Sequence, residues 1–429
     1  MPIRPAGPGA VGGHAAPTLG PASAGPGAVG GHAVPTLIED AEALAALCER
    51  IGRVDRVAID TEFHNEKSYA ARLMVVQLVL GDEVALVDPL RVRDLAPLAD
   101  ALASKTVVGH ALQSDLKIFA DRFDRLPRAA FDTQLAAAFC GYGMSISLAD
   151  LVHDIVGIRL RKSQTVSDWS TRPLSPQQID YLVDDVRHLF PLQDELTRRL
   201  EKSGRYQWFE DEARSLADPA RYRTDPERLY LRVPGAMRMN RRELGILREV
   251  ALLRDTLARE RDVPLKYIIP DDVMAGIVSL RPATRDDLAQ LRRLDAGARK
   301  AFGDRIVDAV AAGLALSEAD LPKKPARPAG ADREAIVSCL AVLASGIAAE
   351  HELPPALLVN RSALERVARE LPATVEDVAR ALEATDWRAS LVAAPLHALL
   401  NGEIALTVAG AARGNPRVAH VKTGRSPVE

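Results

Sequence analysis

The 429-residue chain is too long for one ordinary core and fits two to four modules of usual size. Its net charge of −3 gives no global attraction to a polyanion, and three distant cysteines, Cys48, Cys140 and Cys339, argue against a disulfide framework or a cysteine-ligated zinc site. No charged start leads into an apolar run and no stretch is long enough to span a bilayer, so a cytoplasmic protein with no membrane partner is expected.

Residues 1 to 36 are rich in Gly, Pro and Ala, and the word Ala6-Gly-Pro-Gly-Ala-Val-Gly-Gly-His-Ala15 recurs at Ala24 to Ala33. Such a segment buries too little to order itself, so a disordered tail is expected, with His14 and His32 idle. From 37 to 205, short apolar runs such as Arg56-Val-Ala-Ile-Asp60, Leu73-Met-Val-Val-Gln-Leu-Val79 and Glu83-Val-Ala-Leu-Val-Asp88 alternate with helical periodicity. This predicts an α/β domain with a mixed sheet flanked by helices. Its last helix opens on Ser175, Pro176 and Gln178, which spell a capping box; Pro191 should bend it and Gly204 end it.

Beyond 205 strand signals largely fade. A connector at 206–237 leads to a helical module at 238–319, a Pro/Lys-rich linker at 320–331, a second helical module at 332–412 and a basic flexible tail at 413–429. The two modules match at a constant offset of ninety: Pro264 with Pro354, Ile268 with Leu358, Ile277 with Val367, and Pro282-Ala-Thr284 with Pro372-Ala-Thr374. A gapless match with apolar positions in phase points to duplication.

The chemistry lies in carboxylates. Asp60-Thr-Glu62 ends an apolar strand, so alternation sends Asp60 and Glu62 to one face and Thr61 away. Converging like charges need a cation, and oxygen donors suit Mg²⁺ or Mn²⁺; a solvated strand end is the plain alternative. Asp115 opens the helix that follows Val107-Val-Gly-His110, where it also suits the helix dipole. Tyr181 and Asp185 share a helix face. Relative to the apolar stripe of that helix, Asp185 lies roughly 100° from the centre and Asp184 roughly 160°, which selects Asp185 and leaves Asp184 to solvent.

Asp60-Thr-Glu-Phe63, Tyr69, Val76-Gln-Leu78, His110 with Asp115-Leu116, Phe131-Asp-Thr133, Ser167-Asp-Trp-Ser-Thr-Arg-Pro-Leu174 and Tyr181-x-x-x-Asp185 stand in an order that resembles ribonuclease D, in the tyrosine branch of the DEDD exonucleases. The departures are Leu182-Val183-Asp184, where small residues usually follow the tyrosine, and the glycine-rich tail; neither touches the acids. The two helical modules are similar to HRDC domains, the second through Thr385-Asp-Trp-Arg388 and Leu399-Leu-Asn-Gly402.

The resemblance implies a ribonuclease H-like 3′–5′ exonuclease domain at 37–205 and two HRDC-like domains. It implies two divalent ions, one held by Asp60, Glu62 and Asp185 and the other by Asp60 and Asp115, with Tyr181 orienting the attacking water. Nucleoside 5′-monophosphates would leave RNA 3′ ends, with tRNA precursors and other structured RNA as substrates. A DNA 3′–5′ exonuclease in repair, with single-stranded DNA as its partner, is the second reading, and a non-catalytic nucleic-acid-binding scaffold the third. Arg159, Arg161, Lys162 and Arg172 are candidate phosphate contacts, and the arginines Arg238, Arg241, Arg242, Arg248 and Arg254 an auxiliary RNA surface.

Overall fold

The computed structural model describes residues 34–160, 168–324, 331–384, 387–410 and 417–423. The repeated Gly/Pro words with His14 and His32, the basic pair Arg161 and Lys162, Ser167, Thr385 and Asp386 lie outside them.

A six-stranded mixed sheet forms the first domain, in the order β1 (Thr36–Ile38), β4 (Glu83–Val87), β3 (Arg72–Leu80), β2 (Arg56–His64), β5 (Thr106–Gly109) and β6 (Ala129–Asp132). β2 runs antiparallel to β3 and parallel to β5, with Asp60 opposite Gln77. Among the described residues seven helices belong to this domain: α1 (Ala41–Gly52), α2 (Ala96–Leu102), α3 (Gln113–Phe123), α4 (Thr133–Phe139), α5 (Leu148–Val156), α6 (Pro176–Arg187) and α7 (Leu189–Lys202). Both faces of the sheet are covered, which is why Leu73 to Leu80 is buried throughout rather than alternating with polar residues. Val57 and Ile59 pack with Leu112, Leu116 and Phe119 on one face, while Ala58, Val75 and Val79 pack with Leu182, Val183 and Val186 on the other. Helices α3 and α6 therefore approach β2 from opposite sides.

The predicted long helix is two. Ser175 accepts from Gln178 N at 3.2 Å and Gln178 Oε1 from Ser175 N at 2.9 Å, completing the capping box. Pro191 offers no N–H and its ring crowds the carbonyl four residues back, that of Arg187, where α6 ends.

The expected connector is not a plain spacer. α8 (Tyr206–Arg214) buries Phe209 and Ala213, and α9 (Pro219–Tyr222) buries Tyr222. The first helical module holds α10 (Arg241–Arg261), α11 (Leu265–Ile268), α12 (Asp271–Leu280) and α13 (Ala296–Ala315). The second holds α14 (Ala331–Glu350), α15 (Pro355–Leu358), α16 (Arg361–Glu370), α17 (Val375–Leu382) and α18 (Trp387–Leu400). Their elements keep the spacing of ninety: α10 starts at 241 and α14 at 331, α11 at 265 and α15 at 355, α12 at 271 and α16 at 361. Backbone irregularities repeat as well. Asp262 (φ 48°) answers Glu352 (φ 49°), and Arg281 (φ 50°) answers Leu371 (φ 44°), all left-handed residues just past a helix end. In the first module Gly313 sits where a Cβ would come within 2.5 Å of Ile246 Cα, so glycine lets α13 press against α10.

Two expectations at the C-terminal end give way. Ile404–Ala409 (β7) and Arg417–Lys422 (β8) pair as an antiparallel hairpin, so the segment read as a flexible tail from 413 includes a strand. The physical reason is mutual: each short strand satisfies its backbone only on the other, and neither carries a strong signal by itself. The linker also shrinks, since Leu321 is buried and α14 already begins at Ala331.

The modules differ in how they meet the sheet domain. The second shares its core: Phe139 lies 5.4 Å from Trp387, ring centre to ring centre, and Trp208 stacks on Trp387 at 5.0 Å. Arg205 donates to the Phe139 and His351 carbonyls, and Arg388 pairs with Glu212. The first module has a core of its own, from Leu229 to Val310, with Tyr69 of the sheet domain packed against it. Among the described residues no helix is long and apolar enough to cross a membrane.

Candidate active site

β2 delivers two acids to one face as alternation requires. One oxygen each from Asp60, Glu62 and Asp185 lies within 4.8 Å of the other two. Gln77, fully buried on the neighbouring strand, points its amide nitrogen at Asp60 Oδ2 with a long 3.5 Å contact, and its own Oε1 is buried without a partner. In the sequence Gln77 stands within the word Val76-Gln-Leu78 with no role of its own; the signal for one is a buried polar residue paired directly across from a site acid.

Asp115 reaches the site from the other side of the sheet. Thr61 lies on the face opposite Asp60 and Glu62, and its hydroxyl donates to Asp115 Oδ1. The fourth acid is thus close to the trio but held outside it. Alternation correctly turns Thr61 away from its neighbours, and for that very reason it meets the helix on the far face.

The turn that starts α3 is built with care. At Gly109 a Cβ would meet Leu112 and the Ile59 carbonyl, at 2.3 and 2.9 Å. Asp132 then accepts from Ala111 N at 3.0 Å and Leu112 N at 2.9 Å while capping α4 through Gln134 N and Leu135 N. His110 is spanned between Thr133 Oγ1 and the Ile146 carbonyl, at 2.9 and 3.0 Å. Both residues hold the turn, and neither belongs to the acid cluster.

On α6 the Tyr181 hydroxyl hydrogen-bonds to Asp185, one turn on, and the Tyr181 ring lies 5.7 Å from that of buried Trp169. Asp184 turns to Arg187 at 3.6 Å. The segment ahead of α6 is pinned by Arg172, whose guanidinium donates to both oxygens of Asp88 at 2.6 and 2.9 Å and to the carbonyls of Trp169, Met74 and Thr171. With every face of the fork occupied, Arg172 is an internal anchor and not the phosphate contact its sequence position suggested.

The electrostatics of the acids ask for a cation. Burial raises all four, and a neighbouring carboxylate adds to it in each case. Asp60 is pushed well up by burial, then by Asp115, Asp185 and Glu62; Glu62 rises to about 8 through burial, Asp185 and Asp115. Asp185 rises to about 7 from burial and Asp184, against the Tyr181 hydrogen bond, and Asp115 to about 6 from burial, against its bond to Thr61. Among the described residues no lysine or arginine figures in these influences, and such a cluster of hard oxygen donors matches a divalent ion.

With that geometry in place, a 3′–5′ exonuclease family matches residues 35–201 and an HRDC domain family matches residues 243–310. Ribonuclease D of Granulibacter bethesdensis is 40% identical over 380 residues, spanning 87% of this chain and 94% of that protein. The chain belongs to the ribonuclease D family. Ribonuclease D of Acidiphilium cryptum is 36% identical, over 87% of this chain and 95% of its own length. The crystal structure of Escherichia coli RNase D, described as an exoribonuclease involved in structured RNA processing, superposes with a TM-score of 0.74 at 28% identity, covering 85% of this chain and 98% of that one. As a member of this family, the protein is a 3′–5′ exoribonuclease of RNA processing, in a metal-dependent exonuclease family, and its HRDC domain at 243–310 marks it as a nucleic-acid binder. These relatives favour RNA over the DNA reading and an enzyme over a scaffold.

Of the five arginines expected to form an RNA surface on the first module, Arg238 is exposed and the other four are engaged within the module. Arg241 and Arg242 donate to carbonyls between Leu314 and Pro322 that close the end of α13. Arg254 is 5% exposed and paired with Asp271, and Arg248 is taken up by Glu249 and Glu227. Carbonyls left unpaired at and past a helix end accept guanidinium donors, and sequence spacing alone does not distinguish such arginines from phosphate ligands.

Proposed function

We propose that Asp60, Glu62 and Asp185 hold one divalent cation, Mg²⁺ or Mn²⁺, and that Asp60 with Asp115 serves a second, in a nuclease that releases nucleoside 5′-monophosphates one at a time from RNA 3′ ends. The observation that carries this is the approach of one oxygen from each of Asp60, Glu62 and Asp185 to within 4.8 Å of the others. When bound, such cations supply a more acidic water and stabilise charge on the departing 3′ oxygen.

The chain's own groups do the rest. Tyr181 keeps its hydroxyl protonated, its pKa pushed well above the usual range by burial, then by Asp185 and Glu62. It can therefore donate to Asp185 and accept from, and so aim, a water entering beside it. Trp169 fixes the ring, and Arg172 fixes the segment from which α6 departs. Thr61 keeps Asp115 at the margin of the site and Gln77 steadies Asp60.

Transfer RNA precursors and other structured RNA are the proposed substrates, with single-stranded DNA a weaker one and the cytoplasm the setting; the three cysteines are all free thiols, in keeping with a reducing compartment. The match of elements and left-handed residues at a spacing of ninety supports reading the second module as another HRDC-like domain.

The test incubates 5′-labelled RNA and single-stranded DNA of equal sequence with wild type and Asp60→Asn in Mg²⁺, Mn²⁺ or chelator. RNA should shorten stepwise with either metal, and chelator or Asp60→Asn should stop it. Metal-independent or variant-insensitive shortening rejects the site, internal fragments reject the exonuclease direction, and faster DNA trimming rejects the RNA assignment.

A further inference from the structure

Residues 65–71 join β2 to β3 and begin three residues past Glu62. Most of this segment is exposed, and its internal hold is slight, chiefly Ser68 Oγ to the Ala70 carbonyl at 2.7 Å. The strand pairing itself loosens here: Glu62 faces Val75, whereas Phe63 faces Leu73, so the register slips directly after the acid. Whatever grips the far end of the connection therefore helps decide where Glu62 points.

That grip comes from the first helical module. Tyr69 donates its hydroxyl to Asp255 Oδ1 at 2.7 Å and its backbone N–H to Asp262 Oδ1 at 3.1 Å, and the Arg259 guanidinium lies over its ring at 4.8 Å. Arg259 closes the set by donating to Asp255 Oδ2 at 2.8 Å. Asp255 is 6% exposed, a buried carboxylate that relies on these donors. All three partners sit in the last two turns of α10 and its end, so one rigid helix terminus holds one loop residue at three points. Asp121, on the helix that also carries Asp115, is near enough to act on both Tyr69 and Arg259.

We infer that Tyr69, Asp255, Arg259 and Asp262 form an interdomain clamp through which the first helical module sets the position of Glu62, so that this module is part of the nuclease site's architecture and not only a place where RNA lands. Tyr69 and Asp255 are then positioning residues for cleavage. The inference rests on the acid site proposed above.

The experiment uses the full chain with Tyr69→Phe, which keeps the ring and its packing, with Asp255→Asn, and with both together. Two substrates are compared: a long 5′-labelled RNA and a dinucleotide too short to bridge from the acids to the helical module. Mn²⁺ uptake is measured separately by calorimetry without substrate. Loss of the clamp should lower kcat on the dinucleotide by about tenfold with KM within about twofold, weaken Mn²⁺ uptake comparably, and leave the double variant no worse than either single one, the low end of what supporting residues around a metal site contribute. Dinucleotide cleavage and Mn²⁺ uptake equal to wild type overturn the clamp, including when long RNA alone is cut more slowly, since that pattern is one of substrate capture. Asp60→Asn separates the two levels: if it retains cleavage and Mn²⁺ uptake, the acid site itself is wrong.

Discussion

Removing the Arg172 side chain should cost more stability than any other single truncation around the site. Arg172→Ala deletes the guanidinium that meets both oxygens of Asp88 and three backbone carbonyls, and it leaves that carboxylate, whose side chain is 8% exposed, to the Leu90 amide and the more distant Arg91 at 3.9 Å. Burial by itself would raise Asp88, but the hydrogen bond from Arg172 and that from Leu90 N win and hold it below the usual carboxylate range. A depressed carboxylate stabilises the fold above its unfolded value and loses that effect as pH falls through the folded one, so Asp88 is charged and stabilising at neutral pH. Breaking a buried pair from one side costs about 3–5 kcal/mol. Urea unfolding at pH 7 should show that loss, together with a lower midpoint. Arg172→Lys should recover only part of it, because an ammonium cannot reproduce the two-pronged contact. A loss below about 1 kcal/mol, the range of exposed ion pairs, would refute the anchor. Unchanged unfolding with weaker RNA binding would restore Arg172 to the phosphate contacts.

The other expectations concern the acids. Thr61→Val should free Asp115 and lower kcat at least about tenfold, while Thr61→Ser should keep most activity; equal loss in both would show that the hydroxyl is not what matters. Asp185→Asn should abolish Mn²⁺ uptake measured by calorimetry, and Asp184→Asn should change it less than about twofold, the reverse pattern refuting the assignment on α6. Without divalent ions the folded chain holds extra protons on Asp60, Glu62, Asp115 and Asp185, because all four are raised. Raised groups stabilise below their unfolded values and lose that effect as pH climbs through the folded ones, so Tm in chelator should fall between about pH 5 and 8. Mn²⁺ should flatten the slope, and Glu62→Gln should make it shallower; a Tm that rises with pH across this window would contradict the crowding.

The acids were legible because each constraint is local. Strand alternation placed Asp60 with Glu62, and helical phase chose Asp185 over Asp184. The offset of ninety was legible too, and the helix starts keep it, since a gapless offset needs no knowledge of packing. What escaped were contacts made across the fold. Nothing near Thr61 announces that α3 will bring Asp115 to its far side, and nothing near Arg241 or Arg242 announces the carbonyls beyond residue 313 that they close. The β7–β8 hairpin was missed for a similar reason: each strand exists only because the other does.

The core shared by Phe139, Phe209, Trp208 and Trp387 has a consequence for synthesis on the ribosome. The nuclease domain is translated first, yet the face formed by α4 and α8 is covered by helices that emerge some two hundred residues afterwards. At ~5–20 residues per second the nascent domain waits on the order of 10–40 s with aromatic surface uncovered, a window in which neighbouring chains on the same message can stick to it. A chain cut after the first helical module would carry that exposed face permanently, so the catalytic half should be recovered in insoluble form even though every residue of its acid site is present.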